Sequence, residues 1–230
     1  MIDWKAYYGK EPEVSDLSPN VDKGEIHRCL AAWSVFPRGR VESILDAGCG
    51  DGFFCHWIRG KTGARRVAGV DISQKRLERA RSRYPGIDYL RGELPALPFK
   101  EGEFEVVTCI EVLEHQEDPA AAIKELARLA RRFVVVTVPN RWPLRQTLCP
   151  HCLRTFPTDG HLHSFDEERL EALARDAGLR PERIRSYSLT VGMIRISLPA
   201  RLGAGIAFVM DALRSSPGTF LAARFSKSKI

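Results

Sequence analysis

From residue 43 onward, short runs of apolar and β-branched residues alternate with helix-patterned segments, and this alternation leaves few folds open. Strand, helix and strand in repetition build a parallel sheet, because each crossover carries the chain back to the same edge and lays a helix on one face. The strand runs are SILDAG (43 to 48), RRVAGVDI (65 to 72), IDYLRGE (87 to 93), FEVVTCIE (104 to 111) and RFVVVTVP (132 to 139). Two more are expected at RIRSYSL (183 to 189) and TFLAARFSK (219 to 227). Near-continuous Val, Ile and Leu in the middle strands means burial on both faces.

Helices fill the gaps. DPAAAIKELARLARR (118 to 132) opens with Asp118 as N-cap and Pro119 at the first helical position, and places Ile123, Leu126 and Ala130 on one face. SFDEERLEALARDAG starts at a Ser164 or Asp166 cap and stops at Gly178. SQKRLERARSRY (73 to 84) is arginine-rich, but Leu77, Ala80 and Tyr84 give it an inner face. The fold expected is α/β: a seven-stranded, mostly parallel sheet with helices on both faces, forming a single domain over residues 1 to 230. Within it, residues 1 to 40 read as an N-terminal helical lid with a helix at 22 to 36. Residues 41 to 140 form the ligand-binding core, 141 to 165 a metal-clipped insert, and 166 to 230 the C-terminal half of the sheet with an apolar insert at 190 to 217. Loops at the carboxyl ends of strands are where an open sheet selects its ligands.

Apolar and charged fractions of 44% and 28% are those of an ordinary soluble protein. Lys plus Arg number 35 against 29 Asp plus Glu, a net charge of +6, and the basic residues are spread out rather than forming an arm. With no basic-then-apolar start and no late apolar run of about 20 residues, cytoplasmic residence is the expectation. The six cysteines then read as thiols or metal ligands.

The most informative stretch is ILDAGCGDGFF (44 to 54), between a buried strand and a helix. Gly48, Gly50 and Gly52 let the backbone pass close to a ligand. A dinucleotide fingerprint needs glycine at 53, where Phe53 stands. Asp46, before the glycines, would repel phosphates and suits a ligand bearing a positively charged amino group. GVDIS puts Asp71 at the end of the second strand, where a carboxylate accepts bonds from ribose hydroxyls. GELPALPF puts Glu93 and Leu94 at the end of the third, in reach of an adenine. Amino acid, ribose and base together are the parts of S-adenosylmethionine.

DAGCGDG, GVDIS, GELPALPF and EVLEHQEDP resemble, in order and spacing, the motifs of the Rossmann-like class I S-adenosylmethionine-dependent methyltransferases, most closely the branch that includes ubiquinone-type O-methyltransferases. The similarity covers roughly residues 40 to 185. It implies a seven-stranded sheet with a reversed final strand, Asp46, Gly48, Gly50 and Gly52 lining the methionine part, Asp71 with Ile72 at the ribose, and Glu93 with Leu94 at the adenine. The family usually has Asp where Glu93 stands.

The reacting groups lie in CIEVLEHQ (109 to 116). Helical spacing from Glu111 puts Glu114 and His115 on the same side, at i+3 and i+4. The three can bind a divalent cation, or His115 can act as base with Glu111 holding the loop near the cofactor. E-x-x-E-H also resembles the metal-binding motif of small-RNA 2′-O-methyltransferases, where a further histidine after the fifth strand completes the site. Downstream, LCPHCLRTFPTDGHLHSF (148 to 165) carries Cys149 and Cys152 as a C-x-x-C knuckle, half of a structural zinc site. His161 and His163 point the same way in an extended segment and can supply the other half. His151 as a ligand, and His161 or His163 turned inward toward Glu111 and His115, are the competing assignments.

The function expected is methyl transfer to an oxygen of a small metabolite, hydrophobic or lipid-linked, since residues 190 to 217 interleave apolar residues with Arg195, Arg201 and Arg214. The same stretch suits peripheral membrane contact. RNA 2′-O-methylation and a non-catalytic cofactor-binding module are the alternatives; nucleic acid is disfavoured because no basic tract interleaved with aromatics is present. The sequence does not set the oligomeric state.

Overall fold

The computed structural model describes residues 23 to 187 and 219 to 227. Helix α1 (Lys23–Val35) leads to β1 (Ser43–Ala47), α2 (Phe53–Thr62), β2 (Arg66–Asp71), α3 (Gln74–Arg83), β3 (Asp88–Arg91) and β4 (Phe104–Ile110). A 3₁₀ turn at Leu113–His115 precedes α4 (Pro119–Leu129) and β5 (Ala130–Pro139). Then come the short strands β6 (Gln146–Leu148) and β7 (Thr155–Pro157), α5 (Glu167–Asp176), β8 (Leu179–Tyr187) and β9 (Phe220–Lys227).

Seven strands form one sheet in the order β3-β2-β1-β4-β5-β9-β8, and β6 and β7 form a separate hairpin. β3, β2, β1, β4 and β5 run parallel, while β9 is antiparallel to both β5 and β8. The order reverses at β1 and β4, so a crevice opens beyond their carboxyl ends. Burial confirms the reading of the middle strands: every residue from Ile44 to Ala47, from Val67 to Asp71 and from Phe104 to Cys109 is buried. Leu45, Ile123, Leu126, Val136 and Leu170 pack on the face covered by α4 and α5. Ile44, Ile58, Leu77, Val106 and Val135 pack on the other face, with α1, α2 and α3.

Sequence-local chemistry sets the helix starts. The Asp118 carboxylate accepts the Ala121 amide at 3.0 Å and Pro119 opens α4, while Asp166 accepts the Arg169 amide at 2.9 Å to open α5. The pattern expected α4 to run to residue 132, but it ends at Leu129 because Ala130 pairs with Phe104 as the first residue of β5. The described part of the expected N-terminal lid is a core layer instead. Cys29, Ala31, Ala32, Val35 and Phe36 are buried, and Arg224 of β9 donates to the Val35 carbonyl at 3.2 Å. Residues 190 to 217, with their expected acceptor and membrane contacts, lie outside the described residues. Among the described residues no helix is long and apolar enough to cross a membrane.

Candidate functional site

The chain leaves β1 through Gly48, Cys49, Gly50, Asp51 and Gly52 and enters α2 at Phe53. Gly48 has φ +86°, and a Cβ there would lie 2.3 Å from Cγ2 of Val112. Gly52 has φ +80°, and its Cβ would meet the Tyr89 hydroxyl at 2.4 Å. Both positions therefore demand glycine for backbone conformation and for space. Gly50 differs: its nearest neighbour, Arg76 Nη1, would be 3.6 Å from an added Cβ. The loop is thus pressed against Val112, next in sequence to Glu111, and the glycine turn and the carboxylate cluster adjoin.

Asp71 ties this loop to the end of β2, accepting the Gly50 amide on Oδ2 at 2.8 Å and the Ser73 amide on Oδ1 at 2.8 Å. Ile72 follows it, half-buried. Glu93 is exposed where its backbone bridges to Ala96, and Leu94 is buried. Asp71, Ile72, Glu93 and Leu94 therefore stand at the successive strand ends the sequence assigned to them. Asp46 lies beneath the glycine turn. It is 2% exposed, with the Thr108 hydroxyl donating to Oδ1 at 2.7 Å and the Cys55 thiol 3.7 Å from Oδ2. Its carboxyl supports the turn from below, where burial pushes its pKa up to about 7 against the pull of Thr108 and Cys55.

A pH dependence follows. An unfolded Asp46 ionises near 3.8, so the folded state favours the protonated form, and this stabilisation is lost as pH rises from about 4 through 7. Asp46→Asn is expected to reduce the fall in thermal midpoint between about pH 5 and pH 8; an unchanged fall in the variant would place the dependence elsewhere.

Beyond β4 the backbone turns sharply. Glu111 has φ +56°, and its amide donates to the Thr137 carbonyl at 3.0 Å, which fixes the turn to β5. Leu113–His115 then form a 3₁₀ turn, so the expected spacing gathers the acidic and imidazole groups without an α-helix. Oε1 of Glu111 and Oε2 of Glu114 are buried with no hydrogen-bond partner. Burial drives both carboxyls up, Glu111 to about 7 and Glu114 further still because Glu111's charge opposes its ionisation.

The segment after β7 completes this cluster. The amides of Leu162 and His163 donate to the Glu114 carbonyl at 2.7 and 3.2 Å, and the His161 ring lies 4.9 Å from the His115 ring. Nδ1 of His115 is 3.1 Å from the Gly160 carbonyl. A carbonyl only accepts, so Nδ1 carries the hydrogen and Nε2 the lone pair. That Nε2 is 3.8 Å from Oε1 of Glu114. Burial lowers His115 to about 4 and lowers His161 as well, so both rings are neutral at neutral pH. One ligand atom each from Glu114, His115 and His161 lie within 4.8 Å of one another. Donors on one divalent ion are spaced about 3 to 5 Å apart, at most twice the metal–ligand distance.

The four-residue zinc clip expected from Cys149, Cys152, His161 and His163 is not assembled. His161 turns inward to His115, and Nδ1 of His163 lies 3.1 Å from the Arg169 guanidinium. The cysteines sit at the tip of the β6–β7 hairpin, and among the described residues neither joins a group of three potential ligands. Sequence reasoning missed Trp142, whose indole N–H bonds Asp159 at 2.9 Å and whose ring lies 5.9 Å from His161. It also missed the Gly160 carbonyl that sets the His115 tautomer. The Asp159-Gly160 pair, a turn signal just before His161, was the available clue.

The methyltransferase domain family matches residues 45 to 135. The probable S-adenosylmethionine-dependent methyltransferase of Mycolicibacterium smegmatis is 36% identical over 194 residues, 83% of this chain and 68% of that protein. The ubiquinone biosynthesis O-methyltransferase of Bordetella parapertussis is 33% identical over 159 residues, 62% of this chain and 64% of that protein. The chain thus spans about two-thirds of the length of the curated relatives it matches. An S-adenosylmethionine-dependent methyltransferase from Mesorhizobium loti shares the fold, with a TM-score of 0.62 and 21% identity over 86% of this chain and 96% of that one.

Proposed function

Because the chain belongs to the S-adenosylmethionine-dependent methyltransferases, we propose that it transfers a methyl group from S-adenosylmethionine to an oxygen of a small, hydrophobic or lipid-linked metabolite, assisted by a divalent cation at Glu114, His115 and His161. The observation that carries the proposal is the cluster itself. Buried carboxylate oxygens without partners cost several kcal/mol unless something neutralises them. Here, Glu111 Oε1, Glu114 Oε2 and Nδ1 of His161 are such atoms, grouped beside the glycine turn. A cation held by Glu114, His115 and His161 would neutralise the Glu114 carboxylate, and the bond from His115 Nδ1 to a backbone carbonyl is the support that metal-bound histidines usually have.

The glycine turn and Asp71 hold the cofactor's amino-acid and ribose parts, and Glu93 and Leu94 its base. Methyl transfer from a sulfonium is an in-line displacement in which the acceptor's bond to carbon forms as the carbon–sulfur bond breaks, so the site's main task is positioning. A hydroxyl acceptor must also lose its proton. An imidazole ionising near 4 is a weak base for that, whereas a bound cation would lower the acceptor's pKa and hold its oxygen. That device favours oxygen, as does the likeness to the Bordetella ubiquinone biosynthesis O-methyltransferase. The interleaved arginines and apolar residues of 190 to 217 favour a hydrophobic acceptor.

The test is transfer of labelled methyl to a panel of catechols, prenylated phenols and short RNAs, with the protein stripped of metal and then supplied with Mg²⁺, Mn²⁺ or Zn²⁺. Cation-dependent labelling of a phenolic hydroxyl is expected. Labelling of RNA alone, or of amines without any cation, would overturn the assignment.

A further inference from the structure

We infer that the hairpin tip at Cys149 and Cys152 is half of a zinc site, completed by the same two residues of a second copy of this chain. β6 and β7 pair through Gln146 to Pro157, Thr147 to Phe156 and Leu148 to Thr155, apart from the main sheet. The tip folds back on itself: the Cys149 amide donates to the Arg154 carbonyl at 2.9 Å, the Leu153 amide to the Cys149 carbonyl at 2.9 Å, and Leu153 takes φ +55°. This turn aims the amides of Cys152 and His151, with the Cys152 thiol, at the Cys149 sulfur. Amides directed at sulfur favour the thiolate, the form that binds metal. Cys149 is half-buried and Cys152 exposed, so the pair faces outward.

Structural zinc takes four sulfur or nitrogen ligands in a tetrahedron, and residues 1 to 230 of one copy bring no more than three to this tip. The remaining cysteines, Cys29, Cys49, Cys55 and Cys109, are buried in the core. His27 is buried, His56 stacks on Tyr84, His115 and His161 face each other, and His163 bonds Arg169. Residues 1 to 22, 188 to 218 and 228 to 230 contain neither cysteine nor histidine. Only His151 remains, within the tip itself, and it raises the set to three at most.

A two-fold axis through the metal supplies what is missing, since an isologous contact brings an identical pair. Two further features suit that contact. Leu144, Leu148 and Leu153 are 49%, 56% and 72% exposed, and they account for three of the four exposed large apolar side chains among the described residues. Leu148 and Leu153 flank the cysteines directly, so the same axis would bury them against their counterparts. A zinc ion with four thiolates carries two negative charges, and each hairpin brings an arginine, Arg154, at its base.

Native mass spectrometry, with metal analysis, of protein purified without chelator tests the inference. It predicts a dimer that holds one zinc between two chains, dissociates with a zinc chelator, and becomes monomeric in Cys152→Ser with loss of half an equivalent of zinc per chain. Counting the zinc lost in that variant separates this site from any ion at Glu114, His115 and His161. Leu153→Asp is expected to weaken the dimer at least tenfold, and the chelator arm stands even if a cysteine variant folds poorly. A monomer retaining one zinc at these cysteines, a pair isolated as a disulfide without zinc, or a dimer indifferent to chelator would each overturn it.

Discussion

Gly48→Ala should reduce affinity for S-adenosylmethionine by about 100-fold or more while leaving the protein folded. The position combines two penalties. A left-handed backbone costs a residue with a Cβ about 1 to 3 kcal/mol, and the new carbon would sit 2.3 Å from Cγ2 and 3.1 Å from Cγ1 of Val112. The turn must therefore move, carrying with it the Gly50 amide that holds Asp71. Val112→Ala in the same protein removes both γ carbons, leaving a Cβ at 3.3 Å, so the double variant should recover part of the affinity; the conformational penalty remains. Gly50→Ala is the contrast. Its φ of +52° carries the same backbone penalty, but its Cβ meets no protein atom nearer than 3.6 Å, so a loss beyond that penalty reports how closely the cofactor itself approaches. Calorimetric titration of the three variants, with thermal unfolding as the check on folding, decides this; equal losses at 48 and 50 without rescue by Val112→Ala would contradict the steric account.

Glu114→Gln and His161→Ala are each expected to lower kcat by about 10²–10⁴-fold while changing the cofactor dissociation constant little. Glu114 is 1% exposed and keeps its shape as Gln, so packing survives while the carboxylate that a cation would bind beside His115 and His161 is lost. His161→Ala removes a ring that packs against His115 and Trp142. If these groups hold a cation, the concentration of Mg²⁺ or Mn²⁺ needed for half-maximal turnover should rise in both variants, and excess metal should restore part of the rate. A purely structural role would instead lower the thermal midpoint and the cofactor affinity together, with no response to metal.

The core was legible because its determinants are local. Continuous apolar strands, the Asp118-Pro119 cap and glycines at 48, 50 and 52 each dictate backbone without reference to distant residues, and Asp71 follows once β2 is placed. What was not legible depended on where a connection crosses the fold. His161 and His163 are equivalent by spacing, and only the bonds from the amides of residues 162 and 163 to the Glu114 carbonyl decide which ring enters the cluster. The burial of Asp46 likewise depends on a distant residue, Thr108 on the neighbouring strand β4, whose hydroxyl donates to its carboxylate. The cysteine knuckle announced its own turn, because Cys149 and Cys152 lie within one short hairpin tip.

We propose that S-adenosylmethionine binds in the crevice at the carboxyl ends of the parallel strands through Asp71. Isothermal titration calorimetry of the wild-type chain and of Asp71→Ala tests it most directly. The account predicts binding of one S-adenosylmethionine per chain with a micromolar-range dissociation constant, weakened at least tenfold in Asp71→Ala at an unchanged fold. No binding by the wild-type chain, or equal binding by the variant, would contradict it.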